Sequence, residues 1–275
     1  MKWMMAALLV AVPAWAEPAL EVVNQNLQPG GFMVGRVEQG SVVRWNDVKI
    51  PVNAEGLFVV GFDRFAGKNQ DIQVCVNAEC TTTPLTLASR TYKVQNVKGV
   101  PAKTVNPSPA ELKRMAADNA AIAAARKTYA GLNAFAGPFV LPVQAETSGV
   151  FGSRRTYNGE ERSWHKGHDL AARTGTPVYA PADGIVRLAR STFMSGNLVI
   201  LDHGSYITSL YAHLDSMAVN VGDTVKQGDM VGRVGTTGRS TGPHLHWGMN
   251  WKSVAIDPAL WVGHTLPKEE DPHAE

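Results

Sequence analysis

Cysteine is scarce in this chain, with two residues in 275. Two thiols are too few for a multi-disulfide scaffold or a four-cysteine zinc site, so neither can organise the fold. Long apolar runs are equally rare: past the first dozen residues none approaches the ~20 that a bilayer-spanning helix needs, and no transmembrane anchor is expected in the mature chain. Charge is sparse too, 18% Asp, Glu, Lys and Arg with a net value of +2. No extended Lys/Arg tract occurs, so nucleic acid is not expected as a partner.

Glycine and proline, by contrast, are plentiful, 26 and 16 residues. They imply many turns, and turns at short intervals favour β structure. The length exceeds the usual single-domain size, which predicts two domains with separate cores.

The start, "MKWMMAALLVAVPAWAEP", carries Lys2, an apolar run from Trp3 to Val12 and a small-x-small site at Ala14-Trp15-Ala16. That is the layout of a cleaved signal peptide over residues 1–16, and it predicts a periplasmic or secreted protein. In an oxidising compartment Cys75 and Cys80, flanking the turn-like Asn-Ala-Glu of "QVCVNAEC", most simply close a hairpin disulfide.

Residues 17–100 read as short alternating segments such as "GGFMVGRV" and "GLFVVGF", a small β-sandwich-like domain without visible chemistry. Residues 101–137 form a linker and helix. Three prolines precede an alanine-rich run with strong helix propensity, predicting a helix over 109–131 capped by Ser108, with Glu111 completing a capping box. Residues 138–265 return to strands, "GNLVILDHG", "YITSLYAHL" and "HLHWGMNW" among them, and 266–275 form a polar tail.

The chemistry-bearing residues lie in this last β region. In "GPHLHW", His244 and His246 point the same way if the run is extended, because strand side chains alternate. By itself that pair fits either a metal site or a packed polar pair. "RSWHKGHDLAA" adds His165 and Asp169, and three N/O donors from these stretches would suit zinc with a fourth position left for water. "SLYAHLDS" adds His213 at the end of an apolar strand. Two imidazoles then remain to move protons or stabilise an oxyanion. His168 would alternate away from Asp169, and His203 reads as a structural turn residue. Arg154, Tyr157 and Asn158 in "FGSRRTYNGEERSW" either line a groove or belong to an exposed loop.

"HKGHDLA", "YAHL" and "GPHLHW", in this order over residues 138–262, resemble the three motifs of the lysostaphin/LytM-like zinc metallopeptidases. The resemblance implies a mainly β fold, with an antiparallel LytM-like catalytic domain behind the β-sandwich-like domain and linker helix. It implies one catalytic Zn²⁺ held by His165, Asp169 and His246, with His213 and His244 as catalytic histidines. It further implies peptidoglycan as partner and hydrolysis of its peptide cross-links, with D-alanyl-diaminopimelate bonds the preferred target by analogy. The alternative is a latent or noncatalytic LytM-like protein that binds wall or activates another murein hydrolase; the presence of all five residues speaks against it. "VGDTVKQGDMVGRVG" has a lipoyl-domain character, but the surrounding strands lead to histidines rather than to a carrier lysine. Residues 17–100 could cover the groove, position the enzyme or bind a regulator. If they are inhibitory, deleting residues 17–131 should raise activity.

Overall fold

The computed structural model describes residues 19–97, 107–157, 160–161 and 164–264, with the backbone alone at Val97, Tyr157, Glu160, Glu161 and His264. The signal-peptide assignment, the polar tail and most of the proline-rich linker lie outside these residues.

The chain is mainly β, with small sheets first and a large antiparallel sheet after them. The large sheet has eight strands. Its order is Glu146–Gly149, His168–Ala171, Leu245–Trp251, Ile207–Leu214, Gly196–Asp202, Gly184–Thr192 and Thr224–Val225, with Val254–Ile256 pairing beside Leu245–Trp251. Every residue of Ile207–Leu214 is buried, as expected for a strand flanked on both edges and covered on both faces.

The N-terminal part contains a three-stranded sheet around Phe32–Arg36 and a four-stranded sheet around Asn69–Val76. Cys75 and Cys80 stand opposite one another in the second sheet and form a disulfide.

A single apolar cluster runs through both parts of the chain. Phe32 stacks on Trp261 with ring centroids 3.8 Å apart, and Trp45 meets Trp251 edge-on at 5.8 Å. Arg90 forms an ion pair with Asp257, of which the carboxylate is almost fully buried. In place of the expected separate cores there is one continuous apolar cluster, in which the N-terminal sheets meet the Trp251–Trp261 region.

The helix spans Pro109–Ala125, and the Ser108/Glu111 capping box is present. It stops six residues short of the expected end. Thr128 turns its hydroxyl back to donate to the Ala125 carbonyl at 2.8 Å, satisfying a terminal acceptor and ending the helix. Ile122 and Ala125 pack on Leu198, Ile200, Leu210 and Ala212 of the large sheet. Buried Asp118 accepts the Phe193 amide at 2.8 Å, tying the helix to the loop before Gly196.

Candidate active site

Three neighbouring strands of the large sheet assemble the site. Asp169 stands directly opposite His246, and His246 directly opposite Ala212; cross-strand neighbours share a face, so Asp169 and His246 meet. His165 precedes its strand and reaches the same point. Its Nε2 lies 2.9 Å from Asp169 Oδ1 and 3.0 Å from His246 Nδ1, and His246 Nδ1 lies 2.8 Å from the same carboxylate oxygen. Among the described residues this is the one group of three or more such side chains with ligand atoms converging within 4.8 Å.

The tautomer of His165 follows from its other nitrogen. Nδ1 is 3.1 Å from the Val150 carbonyl, which can only accept, so Nδ1 carries the hydrogen and Nε2 offers a lone pair. Such an arrangement, with the outer nitrogen bonded to a backbone carbonyl, is what a metal-ligating imidazole requires. Two imidazole nitrogens and a carboxylate oxygen facing one point are mutually repulsive unless a cation or proton lies among them. The donor set is of the borderline N/O kind that fits a divalent metal such as zinc.

Burial works to raise the Asp169 carboxyl, but the two imidazoles of His165 and His246 against it outweigh burial and hold the group well below the usual carboxylate range. Burial lowers the His246 imidazole, against the pull of Asp169. Both shifts keep these groups in the deprotonated forms that bind metal.

Gly167 has a specific reason to be glycine. A Cβ there would stand 2.5 Å from the Trp247 carbonyl oxygen and 2.7 Å from His246 Cε1. The turn between His165 and Asp169 can therefore pass close to His246 only without a side chain.

His213 reaches the site against the local period. It follows Ala212, which faces His246, so regular alternation would send its ring to the opposite side of the sheet. Two features reverse it: the pairing shifts between Asn197↔Leu214 and Val199↔Tyr211, leaving a bulge, and His213 has φ of +61°. The bulge re-aims the side chain, and a non-glycine residue at positive φ stores strain of the kind found at functional sites. The His213 ring lies 4.9 Å from His244 and 6.1 Å from His246, centroid to centroid. Its Nδ1 donates to the Thr237 carbonyl at 2.8 Å. Burial, helped by the nearby His246 and His244, pushes its pKa down to about 3. His244 is held in a similar way, with Nδ1 donating to the Gly242 carbonyl at 2.9 Å.

Two other described histidines, His168 and His203, take no part in this cluster. His168 faces away from Asp169, with Nε2 2.9 Å from Thr147 Oγ1. His203 is fully buried in a chain through Ser209 to Tyr211. Arg154 is exposed on the strand Arg154–Tyr157, while Asn158 and the Tyr157 side chain lie outside the described residues. Among the described residues of this stretch, its neighbour Arg155 reaches the site: Arg155 Nη2 donates to Asp169 Oδ2 at 2.5 Å. In "SRRTY" nothing local separates one arginine from the other. Strand alternation alone allowed only the statement that the two point to opposite sides.

Residues 163–258 match the sequence profile described as Peptidase family M23. An uncharacterized metalloprotease of Haemophilus influenzae is 40% identical over 123 residues, 44% of this chain and 26% of its own length. The peptidoglycan DD-endopeptidase ShyA of Vibrio cholerae is 41% identical over 109 residues, 38% of this chain and 25% of its own. The chain thus spans about a quarter of these curated relatives, 26% and 25%. A solved structure from Pseudomonas aeruginosa, described as a peptidase M23, superposes with a TM-score of 0.66 at 28% identity, covering 88% of this chain and 97% of that one. Its coverage takes in the N-terminal sheets as well as the large sheet.

Proposed function

Since this chain belongs to peptidase family M23, we propose that it is a zinc metalloendopeptidase that hydrolyses peptide cross-links of bacterial peptidoglycan. The observation that carries the reading is the convergence of His165, Asp169 and His246 beside two further imidazoles. His165 Nε2, Asp169 Oδ1 and His246 Nδ1 are the atoms that would hold the metal. Bound zinc supplies acidification of water to a pKa near 7 and polarisation of a carbonyl.

The chain's own groups handle the proton. His213 and His244 each give their Nδ1 hydrogen to a backbone carbonyl, so each neutral ring keeps Nε2 as a proton acceptor. An imidazole that takes the proton of the attacking water becomes the donor that a developing oxyanion or leaving amine then needs. We assign these steps to His213 and His244 jointly; burial disfavours the charged form of His213, so a proton taken there is passed on rather than held. The carbonyls of Thr237 and Gly242 fix both tautomers before substrate arrives, so little reorientation is required during the reaction.

The D-alanyl-diaminopimelate bond is the proposed target, supported by the DD-endopeptidase name of a relative 41% identical over the shared region. The proposed location is the periplasm or the exterior, supported by the Cys75–Cys80 disulfide.

The test is zinc content together with cleavage of purified peptidoglycan, comparing the protein with His246→Ala and His244→Ala. Zinc lost in the first variant and kept in the second, with both inactive, is the expected outcome. Intact protein that binds zinc but cleaves nothing overturns the activity, and intact protein without zinc overturns the metal site.

A further inference from the structure

The two oxygens of Asp169 are used differently. Oδ1 faces His165 and His246, at 2.9 and 2.8 Å, and Oδ2 accepts from Arg155 Nη2 at 2.5 Å. Arg155 is itself largely buried, its side chain 15% exposed, and its Nε donates to Gln95 Oε1 at 3.3 Å. Gln95 belongs to the N-terminal part of the chain. Its strand, Val94–Val97, runs parallel to Arg154–Tyr157 with Gln95 paired to Arg155, and Thr156 Oγ1 donates to Asn96 Oδ1 at 2.8 Å one step along.

The same N-terminal part holds the partner of the other ligand. Val150, whose carbonyl fixes His165, begins a turn through Ser153. Arg64 Nε donates to the Gly152 carbonyl of that turn at 2.7 Å, the Arg154 amide donates to Lys93 at 3.0 Å, and the Tyr92 ring fills the space that a side chain at Gly152 would need. Two of the three metal-ligand candidates are therefore oriented by groups that the N-terminal part secures.

We infer that Arg155 is a positioning residue for the Asp169 carboxylate, and that Gln95, by holding Arg155, makes metal affinity depend on the N-terminal part. This rests on the metal-site reading above. A carboxylate that is almost buried and bonded at both oxygens has one orientation. Without Arg155, Oδ2 loses its charged partner and the group is free to turn away from the two imidazoles. An opposing effect exists, because a guanidinium draws charge from the carboxylate and repels a cation. At a bidentate or buried site, orientation by outer partners typically carries 10- to 100-fold in metal affinity, so orientation is taken to win.

The experiment is zinc affinity of the full chain by chelator competition, with circular dichroism and thermal melting on the same samples. Arg155→Met is expected to bind zinc about 10- to 100-fold more weakly, Gln95→Leu to lose a smaller factor in the same direction, and Arg155→Lys to recover part of the loss through its retained charge. If Arg155→Met melts below working temperature, Gln95→Leu and Arg155→Lys, which keep a cation against Asp169, carry the test. Affinity equal to or tighter than the unaltered chain in the folded variants overturns the inference. Absence of zinc from the unaltered chain is a separate failure, that of the metal site itself.

Discussion

Gly167 passes so close to His246 that a Cβ on it would stand 2.7 Å from the imidazole Cε1 and 2.5 Å from the Trp247 carbonyl oxygen. The first contact is a metal-ligand candidate and the second is backbone, so neither yields cheaply. Gly167→Ala is expected to displace the His246 ring, lowering zinc affinity at least tenfold, while the shared core holds the rest of the fold. Isothermal titration with zinc checks this; an alanine variant that binds as tightly as the unaltered chain would show that the turn adjusts freely.

The positive φ of His213 makes a prediction about stability that is independent of catalysis. At φ of +61° a β-branched side chain is strained by roughly 1–2 kcal/mol, whereas glycine is not. His213→Gly and His213→Val should both be inactive on peptidoglycan, yet the glycine variant should unfold at higher urea concentration. In an ordinary buried strand the order would be reversed, so a more stable valine variant argues against the strained conformation.

Removing residues 17–131 would take Phe32 from Trp261, Trp45 from Trp251, and the Ile122–Ala125 face from Leu198 and Ile200. Trp251 and Trp261, 4% and 2% exposed in the whole chain, would be left on the surface as an aggregation-prone patch. The shortened protein is expected to be less soluble and less active than the whole one. A soluble fragment that cleaves peptidoglycan faster than the full chain would instead establish the N-terminal part as inhibitory.

His203 should make stability fall in acid. It lies fully buried, donating from Nδ1 to the Asp183 carbonyl at 2.7 Å and accepting from Ser209 at Nε2, so burial pushes its pKa from the ordinary 6.5 down to about 4. The unfolded chain therefore takes up this proton first. The contribution is complete above pH 6.5 and is lost as pH falls from 6.5 to about 4, a change of roughly 3 kcal/mol over the window. Urea unfolding at pH 7 and pH 4.5 should show a smaller acid loss for His203→Gln than for the unaltered chain, and equal losses would contradict the assignment.

The five residues His165, Asp169, His213, His244 and His246 were legible in the sequence because their types and order form motifs, and the His-x-His pair shares a face through strand alternation alone. The capping box of Ser108 and Glu111 was legible for the same reason: it is a contact between residues three positions apart. The Cys75–Cys80 bridge joins positions five apart across a turn. All of these are local relationships, which the order of residues largely determines by itself.

What the tertiary structure decided lies at longer range. Which of Arg154 and Arg155 meets Asp169 depends on a parallel pairing with a strand some sixty residues earlier in the chain. Alternation predicts the wrong face for His213, because a bulge set by the register with Gly196–Asp202 turns it round. The shared core joins segments far apart in the chain, Phe32 against Trp261. Side-chain period and turn chemistry are properties of a few adjacent residues, whereas register, bulges and the closure of apolar faces are settled only when distant segments compete for the same hydrogen bonds and the same buried surface.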